Sequence, residues 1–276
     1  MSSPVIALEG VSKRFANGTQ ALHDCSLQIA AGQFVSLLGP SGCGKSTVLR
    51  LIAGLTAPDA GTLRVRADAA GVPSASPAAN AGDGAGDAAG RDAGRTPAAF
   101  VFQEPTLMPW ATVFDNVWLP LRIAGQSRAL ARQAVEGALA TVGLGDFADA
   151  WPRELSGGMK MRVSIARALV ARPRLLLMDE PFAALDEITR MRLNDDLLRW
   201  WRDSGLTVVF VTHSVHEAMF LSQRVLVMRA RPGRVVAEFE VDPNAARDDD
   251  FRTSQPFARL CTDASRALRA AMEEPR

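Results

Sequence analysis

The chain has 276 residues, 47% of them apolar, and a formal net charge of +1. That length and apolar share suit one large domain or two modest ones around a buried core, and the near-zero charge lacks the basic excess of nucleic-acid binders, so no nucleic-acid partner is expected. The three cysteines, Cys25, Cys43 and Cys261, are far apart and odd in number, which gives neither a metal-ligand spacing nor a disulfide framework and suits a reducing compartment.

The opening "MSSPVIALEG" lacks a basic start and a long apolar run, so no signal peptide is expected. No apolar stretch approaches the roughly 20 residues needed to span a bilayer. Residues 5–15 and 26–29 read as strands, with a turn at "ANGTQ". "QFVSLLG" (33–39) is a nearly continuous apolar run, as suits a strand buried on both faces. "STVLRLIAGL" follows with Leu49, Ile52 and Leu55 at helical spacing. Residues 67–97 are mostly alanine, glycine, aspartate, serine and proline, with Val72 the only larger aliphatic residue. Such a segment cannot offset its ordering entropy by burial, so a disordered insertion is expected.

"AAFVFQ" (98–103) returns as a strand, and residues 126–150 read as helical with a turn near "GLGD". A helix over 156–171, a buried strand "RLLLMDE" (174–180) and a helix over 187–205 follow. A strand (206–213), a short helix ("SVHEAMFLS") and a strand (224–228) complete the alternation. Strands alternating with helices predict an α/β fold with a mainly parallel sheet. The tail, 246–276, places Phe257, Leu260, Cys261, Ala264 and Leu268 on one helical face, which is expected to pack on its own domain, residues 1–245.

"GPSGCGKST" joins the apolar strand to the first helix and fits G-x-x-x-x-G-K-[ST]. Gly39, Pro40, Ser41, Gly42, Cys43, Gly44, Lys45, Ser46 and Thr47 are therefore candidate nucleotide-binding residues. Glycines let successive backbone N–H groups converge on an anion, and the helix that follows points its positive end there. Only Lys13, Lys45 and Lys160 are lysines among 31 basic residues, so a lysine kept in this loop is informative: a compact ammonium suits a phosphate cradle. Lys45 is expected to reach the β- and γ-phosphates, Ser46 to ligate Mg²⁺, and Cys43 to contribute backbone only. "LLLMDE" then puts Asp179 and Glu180 at the carboxyl edge of the sheet, where ligands of open α/β sheets sit. Asp179 is expected to hold Mg²⁺ through water and Glu180 to polarise an attacking water.

Between these two motifs lies "LSGGMKMRVSIARAL" (155–169). Here the chain resembles the ATP-binding-cassette ATPases, whose signature is LSGGQ. The resemblance spans roughly residues 4–240 apart from the insertion, with the motifs in the family's order. It implies a P-loop NTPase fold with a mainly parallel sheet, an antiparallel β subdomain and an inserted α-helical subdomain at about 104–172. It implies ATP and Mg²⁺ as cofactors. By the same resemblance Phe15 stacks on adenine, and Gln103 senses Mg²⁺ and the γ-phosphate. Ser156, Gly157 and Gly158 meet the ATP held by a second subunit, and Asp186 lies at the dimer interface. Glu180 is the general base, and His213 clamps the γ-phosphate. His216 has no counterpart and is read as structural. Met159 stands where the signature has glutamine.

Two functions compete for such a cassette: the energising subunit of a membrane importer, and a soluble ATPase of DNA repair or the ribosome. One cassette without a heptad run favours the first. The phrases "LMPWATVFDNVWLPL", "MDEPFAALDEITR" and "FVTHSVHEAMFLSQRVLVM" look like the nitrate, sulfonate and taurine importer ATPases. The resemblance implies two copies of this chain, two transmembrane permease subunits and a separate solute-binding protein, with the chain peripheral on the cytoplasmic face of the inner membrane. Leu107, Met108, Trp110, Val113 and Trp118 are expected to be exposed after Gln103. Leu107 and Met108 are the candidate permease surface, and Trp118 and Leu119 are expected in the core of the helical subdomain.

Overall fold

The structure, a computed structural model, describes residues 4–66, 98–242 and 245–273. The expected insertion, 67–97, lies outside them. The chain opens with strands β1 (Ile6–Arg14), β2 (Gln20–Ile29) and β3 (Phe34–Leu38), helix α1 (Lys45–Ile52) and strands β4 (Ala60–Val65) and β5 (Ala98–Val101). Helices α2 (Val113–Ile123), α3 (Arg128–Thr141) and α4 (Gly157–Leu169) pack on one another, with two short 3-10 turns before α4. Then come β6 (Leu175–Asp179), α5 (Glu187–Ser204), β7 (Thr207–Thr212) and α6 (Val215–Leu221). Strands β8 (Arg224–Arg229) and β9 (Arg234–Glu240) precede α7 (Asp249–Thr253) and α8 (Gln255–Glu273).

Six strands form the central sheet in the order β5-β6-β7-β3-β8-β9. All its pairings are parallel except that of β9 with β8. A second, antiparallel sheet has the order β2-β1-β4. The side-chain period of two divides each central strand between two cores. Phe34, Leu38, Leu176, Met178, Val208 and Phe210 join the larger core with the helices. Val35, Leu37, Leu175, Leu177, Val209 and Val211 join the other, covered by α1 and by residues of β1 and β2. Burial on both faces is what makes "FVSLL", "LLLMD" and "TVVFVT" legible as strands.

Several expectations need correction. The second strand begins at Gln20 rather than residue 26. Its first half mixes buried Ala21 and Leu22 with exposed His23 and Asp24, and the ladder with β1 is interrupted by register shifts, so no clean alternation marks it. Strands β4 and β9 were not foreseen. Neither has a fully buried residue, because both lie at sheet edges. Val113 is fully buried, not exposed. Thr112 caps α2 by accepting the Asp115 N–H, which starts the helix there and directs Val113 and Phe114 into the core. Leu107 and Trp118 also pack against that core, leaving Trp110, at 75% exposure, as the most open of the expected apolar group. The half-buried Met108 is tied by its backbone to Asn116, donating N–H to Oδ1 and accepting from Nδ2.

The tail packs on its own domain. Phe257, Cys261, Ala264 and Ala271 of α8 are buried, with Leu260 and Leu268 half-buried beside them. Arg247 anchors this segment: its buried guanidinium donates to the carbonyls of Met219, Phe220, Ser222 and Asp242. It thereby satisfies orphan carbonyls at the C-terminal end of α6. Among the described residues no helix is long and apolar enough to cross a membrane.

Candidate active site

The loop 39–44 connects β3 to α1, and the start of α1 faces it. Gly44 has φ of 90°, in the region that favours glycine, and a Cβ there would lie 2.8 Å from the Ala21 carbonyl oxygen. The glycine thus lets the antiparallel sheet press against the loop. Ser41 and Gly42 are exposed, Pro40 and Ser46 half-buried, and Gly39, Cys43 and Thr47 buried. Burial pushes the Cys43 thiol up, so it stays protonated. The Lys45 ammonium, only 4% exposed, donates to the carbonyls of Gly39 at 2.8 Å and Pro40 at 3.0 Å. It also lies 3.7 Å from Oε1 of Glu180.

Opposite the loop, Ser46 Oγ donates to Asp179 Oδ1 at 2.9 Å. Burial pushes the Asp179 carboxyl up, against the lowering effect of that hydrogen bond. A hydroxyl and a carboxylate side by side are hard oxygen donors, and few protein ligands suit Mg²⁺, which keeps waters and phosphate oxygens in its shell. These residues fit the ion. Glu180 follows with φ of 47°, a left-handed conformation uncommon for a residue with a side chain. Its N–H donates to the Val211 carbonyl at 2.9 Å, which holds this conformation against β7. Its Oε2 is 2.9 Å from Nδ1 of His213.

Lys45, Ser46, Asp179, Glu180 and His213 therefore converge. Gln103 is exposed two residues past β5, whose Val101 pairs with Met178 of β6. Phe15, 36% exposed, sits in the turn between β1 and β2, which is closed by Phe15 N–H donating to Thr19 and Gly18 N–H to Phe15. A second group forms where α4 meets α5. Ser156 caps α4 by accepting the Met159 N–H, and Asp186 caps α5 by accepting the Thr189 N–H. That N–H and the Thr189 hydroxyl hold the Asp186 carboxyl below its usual range. The helices touch so closely that a Cβ on Gly158 would lie 2.5 Å from Thr189 Cγ2, and one on Gly157 3.6 Å from Leu185.

Sequence reasoning missed Glu217. It is 7% exposed on α6 and accepts the Thr212 hydroxyl at 2.5 Å. The signal available was "SVHE", an S-x-x-E pattern opening a helix. Ser214 does cap α6, accepting the Glu217 N–H. The reciprocal half is rerouted, since the Ser214 N–H goes to the Thr212 hydroxyl, which in turn donates to Glu217.

A phosphate loop after β3, a signature helix and a carboxylate pair at the end of β6, in this order along the chain, define a nucleotide-hydrolysing cassette. Residues 22–183 match the model of the ABC transporter family, and the chain belongs to that family. An aliphatic sulfonates import ATP-binding protein, SsuB of Mycobacterium avium, is 47% identical over 236 residues, 86% of this chain and 81% of that protein. An ATP-binding protein of Brucella abortus is 44% identical over 257 residues, 93% of this chain and 90% of the relative. Among solved structures, the ATP-binding cassette MJ0796, a dimer in a post-hydrolysis state bound to ADP and Pi, is 30% identical with a TM-score of 0.67. The match covers 86% of this chain and 98% of that one.

Proposed function

We propose that this chain is the ATP-hydrolysing subunit of an ABC importer. The observation that carries the reading is the convergence of Lys45, the Ser46–Asp179 pair and the Glu180–His213 pair at the carboxyl edge of the parallel strands of one sheet. Lys45 and the loop N–H groups bind the phosphates. Ser46 and Asp179 would hold Mg²⁺, with Gln103 reaching it from the neighbouring strand, and the ion would neutralise phosphate charge. Glu180 takes a proton from the attacking water, and His213 contributes a positioned donor to the γ-phosphate. Phe15 supplies an aromatic face for adenine.

Two copies are proposed to meet head to tail. Each ATP then lies between one loop 39–47 and the Ser156–Gly158 segment of the other copy, where the α4 N-terminus favours an anion. Asp186 lies at that interface. The domain division places the ATPase in 1–245, its helical subdomain at about 104–172, and a docked helical tail in 246–276. The partners are two permease subunits, met through the surface around half-buried Leu107 and Met108, beside exposed Trp110, and a separate solute-binding protein. The chain sits on the cytoplasmic face of the membrane through the permease.

The solute is proposed to be a small sulfur or nitrogen oxyanion of the sulfonate, taurine or nitrate class, supported by the likeness to a sulfonate import protein. Growth of a deletion strain on one source at a time tests this, with sulfate and ammonium as controls. A defect confined to an alkanesulfonate, taurine or nitrate is the expected result. Normal growth on all three contradicts the assigned substrate class.

A further inference from the structure

Thr212 ends β7, next to His213, and is 2% exposed. Its hydroxyl donates to Glu217 Oε2 at 2.5 Å and accepts the Ser214 N–H at 3.0 Å. An ionised carboxylate only accepts, so the hydroxyl proton points to Glu217 and a lone pair is left for Ser214. One hydroxyl therefore ties the residues on both sides of His213. The other Glu217 oxygen lies 3.5 Å from Nε of Arg190 on α5. The same guanidinium donates through Nη2 to the Leu185 carbonyl at 2.9 Å, one residue before Asp186. A continuous series of contacts thus runs from the Leu185–Asp186 segment, through Arg190 and Glu217, to the loop carrying His213.

At position 217 a carboxylate is held by the Thr212 hydroxyl and the Arg190 guanidinium, against the cost of burial. Burial pushes that carboxyl up, because the charged form is costly there. A well-packed neutral side chain in such a place is often neutral or stabilising. Orientation is what the charge supplies, since only an obligate acceptor dictates which way the Thr212 hydroxyl turns.

We propose that Thr212, Glu217 and Arg190 are positioning residues: they hold the His213 imidazole against Glu180 and make that placement follow the position of the Leu185–Asp186 segment. The proposal rests on the assignment of Glu180 and His213 to hydrolysis. Its consequence is that whatever presses on the exposed Asp186 is transmitted to the hydrolytic pair through side chains of the same subunit.

The test is steady-state ATPase of the full-length chain with Thr212→Val, Thr212→Ser, Glu217→Gln and Arg190→Met, each with its ATP affinity and melting temperature. Thr212→Val keeps the shape and removes the hydroxyl. It and Glu217→Gln should lower kcat by about 10-fold or more while KM stays within about 3-fold. Thr212→Ser, which keeps the hydroxyl, should recover kcat to within about 3-fold of the parent. The double variant Thr212→Val/Glu217→Gln should be no worse than the poorer single one, because both break the same link. Arg190→Met should lower kcat by about 3- to 10-fold with unchanged ATP affinity. A Thr212→Val enzyme with parental kcat, equal losses in the Val and Ser variants, or losses in KM alone would overturn the proposal. Glu180→Gln run alongside separates the two claims. If it is inert while Thr212→Val and Glu217→Gln turn over normally, the positioning role fails and the base assignment stands. If Glu180→Gln itself hydrolyses normally, the base assignment fails and the positioning role falls with it.

Discussion

Nδ1 of His213 and Oε2 of Glu180 are hydrogen-bonded at 2.9 Å. An ionised carboxylate only accepts, so Nδ1 supplies the proton of this bond, and Nε2 donates to a phosphate oxygen only when it carries a proton as well. His213 is 59% exposed at its side chain, and Glu180 21%. The histidine therefore orients the carboxylate while its own ring stays accessible.

Replacing His213 by alanine should leave ATP binding within about 3-fold of the parent and reduce kcat by about 100-fold, the lower end of the range for a positioned proton-transfer partner. Nucleotide affinity and single-turnover hydrolysis on one preparation would check this. A large loss of affinity with intact turnover would contradict it.

Asp179 offers a prediction with a sign. Burial raises its native pKa, so the folded chain keeps this proton to higher pH than the unfolded chain, whose carboxylate titrates at about 3.9. Its favourable contribution is present below that value and lost as pH rises through the raised native one. At neutral pH the buried charge is a cost. Asp179→Asn keeps an acceptor for the Ser46 hydroxyl and removes the charge. In Mg²⁺-free buffer it should melt higher than the parent at pH 7, with the difference shrinking toward pH 4. It should also lose Mg²⁺-dependent turnover, the usual exchange of stability for function.

The signature segment is constrained by packing as well as by chemistry. Gly158→Ala would drive a methyl into Thr189 Cγ2, and overpacking of this kind costs about 1–3 kcal/mol. The melting temperature should fall. Adding Thr189→Ser, which deletes that methyl group, should restore most of it. A Gly158→Ala protein as stable as the parent would mean that α4 and α5 are not so closely apposed.

What was legible in the sequence was local. "GPSGCGKST" after "FVSLL" carries its own structural context, and the apolar run before Asp179 marks a strand buried on both faces. The tail's apolar spacing likewise foretold its docked face. What was not legible had weak local signals or depends on residues distant in the chain. Edge strands β4 and β9 lack apolar runs. Val113 reads as surface until the Thr112 cap starts a helix at that point. The left-handed backbone of Glu180 is held by Val211, and Glu217 gains its meaning from Arg190 on a separate helix. No window of sequence contains both halves of those contacts.

Glu180→Gln is the measurement that tests the central claim most directly, with ATP binding and hydrolysis followed on the same protein. The change removes the proton acceptor and keeps the shape. It should bind ATP within about 3-fold of the parent and hydrolyse it at least about 100-fold more slowly. Near-parental hydrolysis in that variant would contradict the assignment of Glu180 as the base on which this account of the active site rests.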